Sequence, residues 1–299
     1  DVSLVGSEMC IRDRMNTKSV FFLISINFLS FPILSQNAWN PDESMKIKSI
    51  SQTDISNDGK SVAYVVREPI MEDKKSEYLS QIWVTDTESK ENIQYTFNQK
   101  SSSSPKFSPD GKKIAFLSSR SGKNQIWIMN TLGGEARMLT KEKKGVRSIK
   151  WSPDGKMISF LKSDDDTEDE IKSKENKTDV ILVDKNFKYS HIYSYHLDED
   201  TVTKVTSGNY SVNSFDYSPN GKKIIFSHQE DTNINTGFIN TDISVIDSDG
   251  KNLKILVDRP GRDGNPIFSG DGSKFAFISS GGKQAVSYTH LRAHETNVD

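Results

Sequence analysis

The sequence predicts an all-β protein, because one short block repeats five times along its 299 residues. Each copy has an apolar strand end, a turn of the Ser-Pro-Asp-Gly-Lys type and an alternating apolar run. The turn glycines lie 52, 44, 66 and 51 residues apart and are Gly59, Gly111, Gly155, Gly221 and Gly272. A period in this range is typical of propellers and solenoids built from one supersecondary unit.

The block itself predicts a β-hairpin. Pro fixes φ early in the turn, Asp bonds back to the local backbone, and Gly supplies the positive φ that ends the turn. The run after the turn alternates, as in Ile114-Ala115-Phe116, which suits a strand. The copies begin at Ile55, Phe107, Trp151, Tyr217 and Phe268. The departures from the pattern keep the turn chemistry and are Asn57, Gly270, Asn220 and Ser273.

A third and a fourth strand follow each complete hairpin. The third strands are predicted at residues 81–84, 125–128, 191–194 and 242–245, and the fourth ends near a threonine such as Thr140 or Thr206. Four antiparallel strands make one propeller blade. The fold class is therefore all-β, an incomplete β-propeller of about four and a half four-stranded blades. A closed four-bladed ring with a stray hairpin is the alternative.

The two ends of the chain are related through their codons. Residue k and residue 299−k can have reverse-complementary codons from Asp1/Val298 to Asp13/Val286, for example Met9 with His290. We expect residues 1–14 and 285–299 to be translated sequencing adapter, with Gln284 the point where the gene is interrupted. A genuine inverted repeat in the gene is the alternative. The adapter interpretation removes the one cysteine, Cys10, from the protein.

Residues 15–35 are predicted to be a signal peptide. Met15 is followed by Lys18, an apolar run over 20–29 and the small residue Ser35. The run is too short and too broken for a confident membrane span, and a retained anchor is the alternative. We expect a periplasmic or secreted protein whose propeller domain covers residues 36–284. The balanced charge, 39 Lys+Arg against 41 Asp+Glu, argues against a nucleic-acid surface.

Two insertions interrupt the repeat. The first, Arg67 to Leu79, separates the second and third strands of blade one, and the second, Ser163 to Tyr189, does the same in blade three. The second contains an acidic run over residues 164–170. A solvated, mobile run is the ordinary interpretation, because the run lacks the glycine and ligand spacing of a calcium loop. A cation site and a site for the amino terminus of a peptide are the alternatives.

No residue is assigned a catalytic, cofactor-binding or metal-binding role, and no cofactor is expected. His191, His196 and His228 lie on or beside predicted strands, and the chain has no G-x-S-x-G, H-E-x-x-H or phosphate-loop motif. Three tryptophans are expected in the blade core, namely Trp83, Trp127 and Trp151. Trp39 is expected to pack a leading helix over residues 42–49 onto the ring.

The order of these segments resembles the N-terminal propeller of the prolyl oligopeptidase family. The resemblance is carried by residues 39–42, the first turn and its strand (55–65), residues 118–127, Gly133-Gly134-Glu135-Ala136 with Leu139-Thr140, and residues 179–184 before His191. The most similar branch is the secreted dipeptidyl-peptidase V and acylaminoacyl-peptidase group. The resemblance runs from Trp39 to about Lys283 and implies a truncated seven- or eight-bladed ring.

Such a resemblance implies a two-domain serine peptidase that hydrolyses peptides. Its propeller restricts access to an α/β-hydrolase domain with a Ser-Asp-His triad, which would follow Gln284, so this fragment is expected to be inactive. The resemblance implies that peptide substrates bind through the missing domain and that a homodimer is one possible assembly. It implies no nucleic-acid partner and no membrane association after signal cleavage. A non-enzymatic, TolB-like periplasmic propeller that binds proteins is the alternative.

Overall fold

Strands form almost all the regular structure of the chain. The computed structural model describes residues 40–72, 75–178, 187–231, 240–281 and 292–297. The predicted signal peptide, Trp39, residues 179–184, and all of the predicted adapter except 292–297 lie outside these residues. Helix α1 spans Pro41–Met45. The predicted helix over 42–49 is therefore too long, because Ser49 already pairs with Arg67 in a sheet.

Four successive units of four antiparallel strands follow α1. Blade one contains β1 (Ser49–Ile55), β2 (Ser61–Glu72), β3 (Lys75–Asp86) and β4 (Asn92–Gln94). Blade two contains β5 (Ser102–Phe107), β6 (Lys113–Ser118), β7 (Gln125–Asn130) and β8 (Arg137–Met138). The all-β, propeller-type fold class is confirmed.

The later blades repeat this order. Blade three contains β9 (Arg147–Trp151), β10 (Met157–Ser163), β11 (Ser190–His196) and β12 (Thr201–Lys204), with helix α2 (Glu168–Glu175) between β10 and β11. Blade four contains β13 (Ser211–Tyr217), β14 (Lys223–Gln229), β15 (Asn240–Asp247) and β16 (Lys254–Val257). Blade five contains β17 (Gly261–Phe268), β18 (Lys274–Ser279) and β19 (Arg292–Asn297), and β19 pairs antiparallel with β18.

The predicted turns form as expected. All five turn glycines have φ of 71–72°. In blade three the Ser152 hydroxyl donates to Asp154 Oδ1 at 2.6 Å and accepts from the Met157 N–H at 2.9 Å. The serine thus closes the turn together with the acid, a role that the turn signature alone does not reveal.

The first insertion belongs to the sheet. Register pairs continue without a break from Arg67 with Ser80 to Glu72 with Lys75, so β2 and β3 form one long hairpin. The prediction that residues 67–79 separate two shorter strands is wrong. The Arg67 guanidinium carbon lies 3.8 Å from the centre of the Tyr78 ring, which joins the two arms of the hairpin.

The hydrophobic core of the described residues consists of four clusters, each between two successive blades. In β6, Phe116 faces blade one while Ala115 and Leu117 face blade three, so the strand is buried on both faces. In β18, Phe275 and Phe277 face blade four, while Ile278 is 39% exposed on the other side. Among the described residues, no cluster joins blade five to blade one.

Candidate functional site

The first strands of the blades lie side by side: β1 contacts β5, β5 contacts β9, and β13 contacts β17. Aligning the blades on their turn glycines places one residue of each strand at the same position, five residues before the glycine. These residues are Asp54, Lys106, Lys150, Asp216 and Ile267. The position carries charge in four blades out of five, and we call the surface formed by these residues the inner wall.

These charges pair between blades. Lys106 Nζ lies 2.6 Å from Asp54 Oδ1, and Lys150 Nζ lies 2.6 Å from Asp216 Oδ1. The second oxygen of each carboxylate accepts a backbone N–H of a following blade, from Phe107 at 2.8 Å and from Phe268 at 3.1 Å. Asp54 therefore holds two blades together and Asp216 holds three, and neither lysine is left as a free cation.

A cavity of about 580 Å³ opens beside these pairs. The turn residues Asn57, Pro109, Pro153 and Pro219 line its rim, together with Trp151. Neighbouring turns touch through their prolines, and the Asn57 amide donates to the Pro109 carbonyl at 2.8 Å. The rim can accommodate an extended chain or a small solute, and it presents prolines and one indole rather than a reactive group.

The inner strands share a distortion that the sequence analysis missed. Four residues, seven positions before the turn glycine, have φ of 51–53° although none is glycine, and these are Gln52, Ser104, Ser148 and Asn265. Each first strand also shows a register shift against the second, as expected for a β-bulge. A bulge changes the direction in which nearby side chains point. Here it lies two residues before the charged position, whose side chains reach the neighbouring blade.

The three predicted strand histidines are far from forming a catalytic group. His191 is buried, its Nδ1 lies 3.3 Å from Thr206 Oγ1, and burial lowers its pKa to about 4. His196 bonds Thr203, and His228 Nε2 lies 2.8 Å from Ser244 Oγ. Each partner is a hydroxyl on a neighbouring strand or just after it, as expected for histidines with a structural role.

The acidic insertion of blade three is ordered by lysines. Asp166 contacts Lys144 at 2.7 Å and Lys174 at 2.8 Å, and these bonds lower its pKa to about 2. Further ion pairs join Asp164 to Lys204, Asp165 to Lys162 and Glu170 to Lys188. These four carboxylates are therefore ion-paired, which the interpretation as a solvated run did not predict.

A helix also lies in this insertion. Thr167 caps α2 with a capping box, in which Glu170 N–H donates to the Thr167 hydroxyl and the Glu170 carboxylate accepts the Thr167 N–H. The spacing Thr-x-x-Glu is the sequence signal that predicts such a start. Glu168 and Asp169 occupy the first turn of α2, and no ion pair to another described residue is formed by either.

Within the described ranges, no group of three or more His, Cys, Asp or Glu side chains is arranged to hold a metal ion. In the same residues, no helix has the length and apolar character needed to cross a bilayer.

Known proteins share this architecture. The family model for the Tricorn protease N-terminal beta propeller domain matches residues 77–185. The uncharacterized peptidase YuxL of Bacillus subtilis (strain 168) is 33% identical over 81 residues, which are 27% of this chain and 12% of that protein. The chain therefore spans a small part of this curated relative.

Solved structures match over most of the chain. The acylaminoacyl peptidase of Pyrococcus horikoshii superposes with a TM-score of 0.65 and 20% identity, over 87% of this chain and 40% of that one. A putative TolB from Agrobacterium tumefaciens gives a TM-score of 0.57 and 21% identity, over 84% of this chain and 77% of that one. Identities at this level show the fold alone. With the sequence match to YuxL, they confirm the resemblance to N-terminal propellers of prolyl oligopeptidase-type peptidases.

Proposed function

We propose that this chain is the substrate-gating propeller of a secreted or periplasmic serine peptidase of the prolyl oligopeptidase family. The observation that carries the proposal is the sequence match to the peptidase YuxL, together with the propeller-type fold of this chain. The hydrolase domain would lie in a part of the protein beyond this sequence. It would supply the activated serine and the backbone N–H groups that stabilise the oxyanion.

The paired inner wall supports a gating role. Lys106 and Lys150 are neutralised by aspartates, so the wall and its cavity offer a passage without a fixed net charge. Such a passage would admit peptides by width rather than by charge. The inter-blade bonds of Asp54 and Asp216 would set that width, because they hold the inner strands together.

The experiment is to recover the uninterrupted reading frame and to assay the complete protein. We expect a G-x-S-x-G motif after the last blade, followed by Asp and then His. The complete protein should hydrolyse aminoacyl-peptide reporters, and replacing the motif serine with alanine should abolish this activity. Short peptides should be cleaved and unfolded proteins spared. A stop codon soon after a sixth or seventh blade would overturn the proposal.

The acidic insertion supports a site for the amino terminus of a peptide. Within the acidic run over residues 164–170, Glu168 and Asp169 are the carboxylates without an ion pair to another described residue, so they are available to an ammonium group. The double variant Glu168→Gln/Asp169→Asn should weaken peptide binding, whereas Glu88→Gln/Glu91→Gln in blade one should not. Unchanged peptide affinity in the first variant would exclude this site.

A protein-binding propeller is the second candidate. The A. tumefaciens TolB structure favours it, because the matched region covers 77% of that chain. The two candidates differ in the recovered reading frame and in the activity of the complete protein. A complete protein without a serine motif that is captured by a folded partner would support the binding module.

A further inference from the structure

Three blades close their third and fourth strands with the same buried contact. A threonine that follows the fourth strand accepts the N–H of an isoleucine at 2.9 Å, in the pairs Ile82 with Thr96, Ile126 with Thr140 and Ile192 with Thr206. All three threonines are at most 2% exposed. We name this arrangement the threonine latch.

The residue before each isoleucine completes the latch. The Thr96 hydroxyl donates to Gln81 Oε1 at 2.5 Å, and Thr140 donates to Gln125 Oε1 at 2.8 Å. In blade three His191 replaces the glutamine, and its Nδ1 lies 3.3 Å from Thr206 Oγ1. In blades one and two the threonine hydroxyl supplies the hydrogen and the glutamine oxygen accepts it, which satisfies both buried groups.

Blade four replaces both partners with acids. Asp242 precedes Ile243, at the position of the glutamines, and Asp258 follows Val257, which pairs with Ile243. Two ionised carboxylates have no hydrogen to share and repel each other. Asp242 Oδ1 is buried without a hydrogen-bond partner among the described residues.

The latch of blade four adjoins the junction with blade five. Residues 240 and 241 pair in parallel with residues 261 and 262. The Thr241 hydroxyl donates to the Asp263 carbonyl at 2.7 Å and accepts the Asp263 N–H at 2.9 Å. Asp242 is the next residue, so a change in its position reaches the bonds that attach blade five.

We propose that Asp242, beside Asp258, forms an acid-closed latch, which holds blades four and five together when the Asp242 carboxyl is protonated and loosens when it is ionised. In the closed form the protonated carboxyl supplies the hydrogen that threonine supplies in blades one and two.

The charged groups around Asp242 favour this behaviour. Glu230 follows β14, Asp258 lies between β16 and β17, and Asp263 lies on β17, and all three add negative potential. Arg259 is the nearby cation, but its guanidinium is committed to Asp263, at 2.9 and 3.1 Å, and to Ser279 at 2.7 Å.

Two further groups surround the latch. His228 is the cross-strand neighbour of Asp242 on β14, and burial lowers its pKa, so it brings little positive charge. Arg262 pairs with Thr241 across the junction. Burial first, and then the charges of Asp258, Glu230 and Asp263, raise the pKa of Asp242 to about 6, against an influence of the Arg259 backbone N–H.

The sign of the effect follows from this shift. An aspartyl pKa raised above its unfolded value of 3.8 means that the folded protein holds the proton more tightly than the unfolded chain. The stabilisation is complete below the unfolded value and is lost as the pH rises through about 6. The junction should therefore be tighter in acid than at neutral pH.

The test uses the full 299-residue chain and the variant Asp242→Gln/Asp258→Thr, which rebuilds the latch of blades one and two. Unfolding midpoints are measured from about pH 4 to about pH 7 and compared as variant minus parent, because His191 and His228 also titrate. As the pH rises over this range, the acid latch loses stabilising free energy in the parent but not in the variant. The difference in unfolding midpoint, variant minus parent, should therefore increase by roughly 2–4 °C for each kcal/mol lost. A variant with two exposed charges removed, Glu91→Gln/Glu199→Gln, should show no such trend.

A second measurement stands if the variant folds poorly. In the parent chain, hydrogen exchange of peptides that contain Thr241 and Asp263, corrected for the intrinsic pH dependence, should be slower at about pH 5 than at about pH 7. Peptides of the threonine latch in blade two should change little. Equal protection at both pH values, or a variant-minus-parent difference that stays constant with pH, would overturn the proposal.

Discussion

Lys150 and Asp216 join the first strands of blades three and four through a 2.6 Å ion pair, although 66 residues separate them in the chain. Asp216 also accepts the Phe268 N–H, so one carboxylate connects three blades. Asp216 should therefore contribute more to the free energy of unfolding than its ion pair with Lys150 alone.

We expect Asp216→Ala to destabilise the chain more than Lys150→Met. The alanine leaves the lysine and the Phe268 N–H without their partner, and a buried donor left unpaired costs about 1–3 kcal/mol. The direct coupling of the two charges should be smaller, on the order of 1 kcal/mol or less, because both are partly solvated. A double-mutant cycle in urea measures both. A coupling equal to the full cost of Asp216→Ala would contradict this division.

The turn serine should contribute more than the charge of the turn acid. Ser152→Ala removes the hydroxyl that accepts the Met157 N–H inside the turn, and should cost about 1–2 kcal/mol. Asp154→Asn should change the free energy of unfolding little, because Asn220 makes the same bonds in blade four, to Ser218 and to the Lys222 N–H. Chemical denaturation of both variants checks this. An asparagine as damaging as the alanine would show that charge dominates the turn.

Two turn glycines with similar backbone angles should differ in their tolerance of alanine. A Cβ at Gly250 would lie 2.8 Å from the Val205 carbonyl oxygen, whereas a Cβ at Gly133 would have no heavy atom within 4 Å. Both have positive φ, +85° and +98°, so both alanines carry backbone strain. Gly250→Ala should therefore lower the unfolding midpoint further than Gly133→Ala. Equal losses would mean that backbone strain alone decides.

His191 should make blade three sensitive to acid. Burial lowers its pKa to about 4, below the usual 6.5, so the unfolded chain binds the proton more tightly. Its contribution to stability is present above about pH 6.5 and is lost as the pH falls to about 4. His191→Gln, which copies the latch of blades one and two, should flatten this dependence of the unfolding midpoint. His196→Gln, at a half-buried position, is the control and should leave it in place.

The turns could be predicted because their requirements are local. Gly59 and its equivalents need positive φ, and the sequence supplies glycine at each such position. The inner-strand bulges could not be predicted in this way, because Gln52, Ser104 and their equivalents take up the left-handed conformation without glycine. Their conformation follows from packing between blades, which no single repeat contains.

The inter-blade contacts were within reach of the sequence in one respect. Alignment of the repeats on the turn glycine places Asp54, Lys106, Lys150 and Asp216 in one column, and the opposite charges of copies one and two and of copies three and four predict pairing. Alignment of the third strands places Asp242 against Gln81 and Gln125, whereas the position of Asp258 follows only from the register of β15 with β16, which contains one extra residue. Both patterns become visible only when the copies are compared with one another. The ion pairs of the blade-three insertion could not be predicted in this way, because they depend on lysines that are distant in sequence, such as Lys144.

The apolar clusters of this protein lie between neighbours, and this has a mechanical consequence. Blades two, three and four each pack against the blade before and the blade after, and blades one and five each share one of these clusters, so the array behaves as a row of coupled units rather than as one cooperative body. Under an applied force, the units should yield singly, beginning with blade five, whose β18 is buried on one face. The extension record should then show separate steps, each the length of about one repeat.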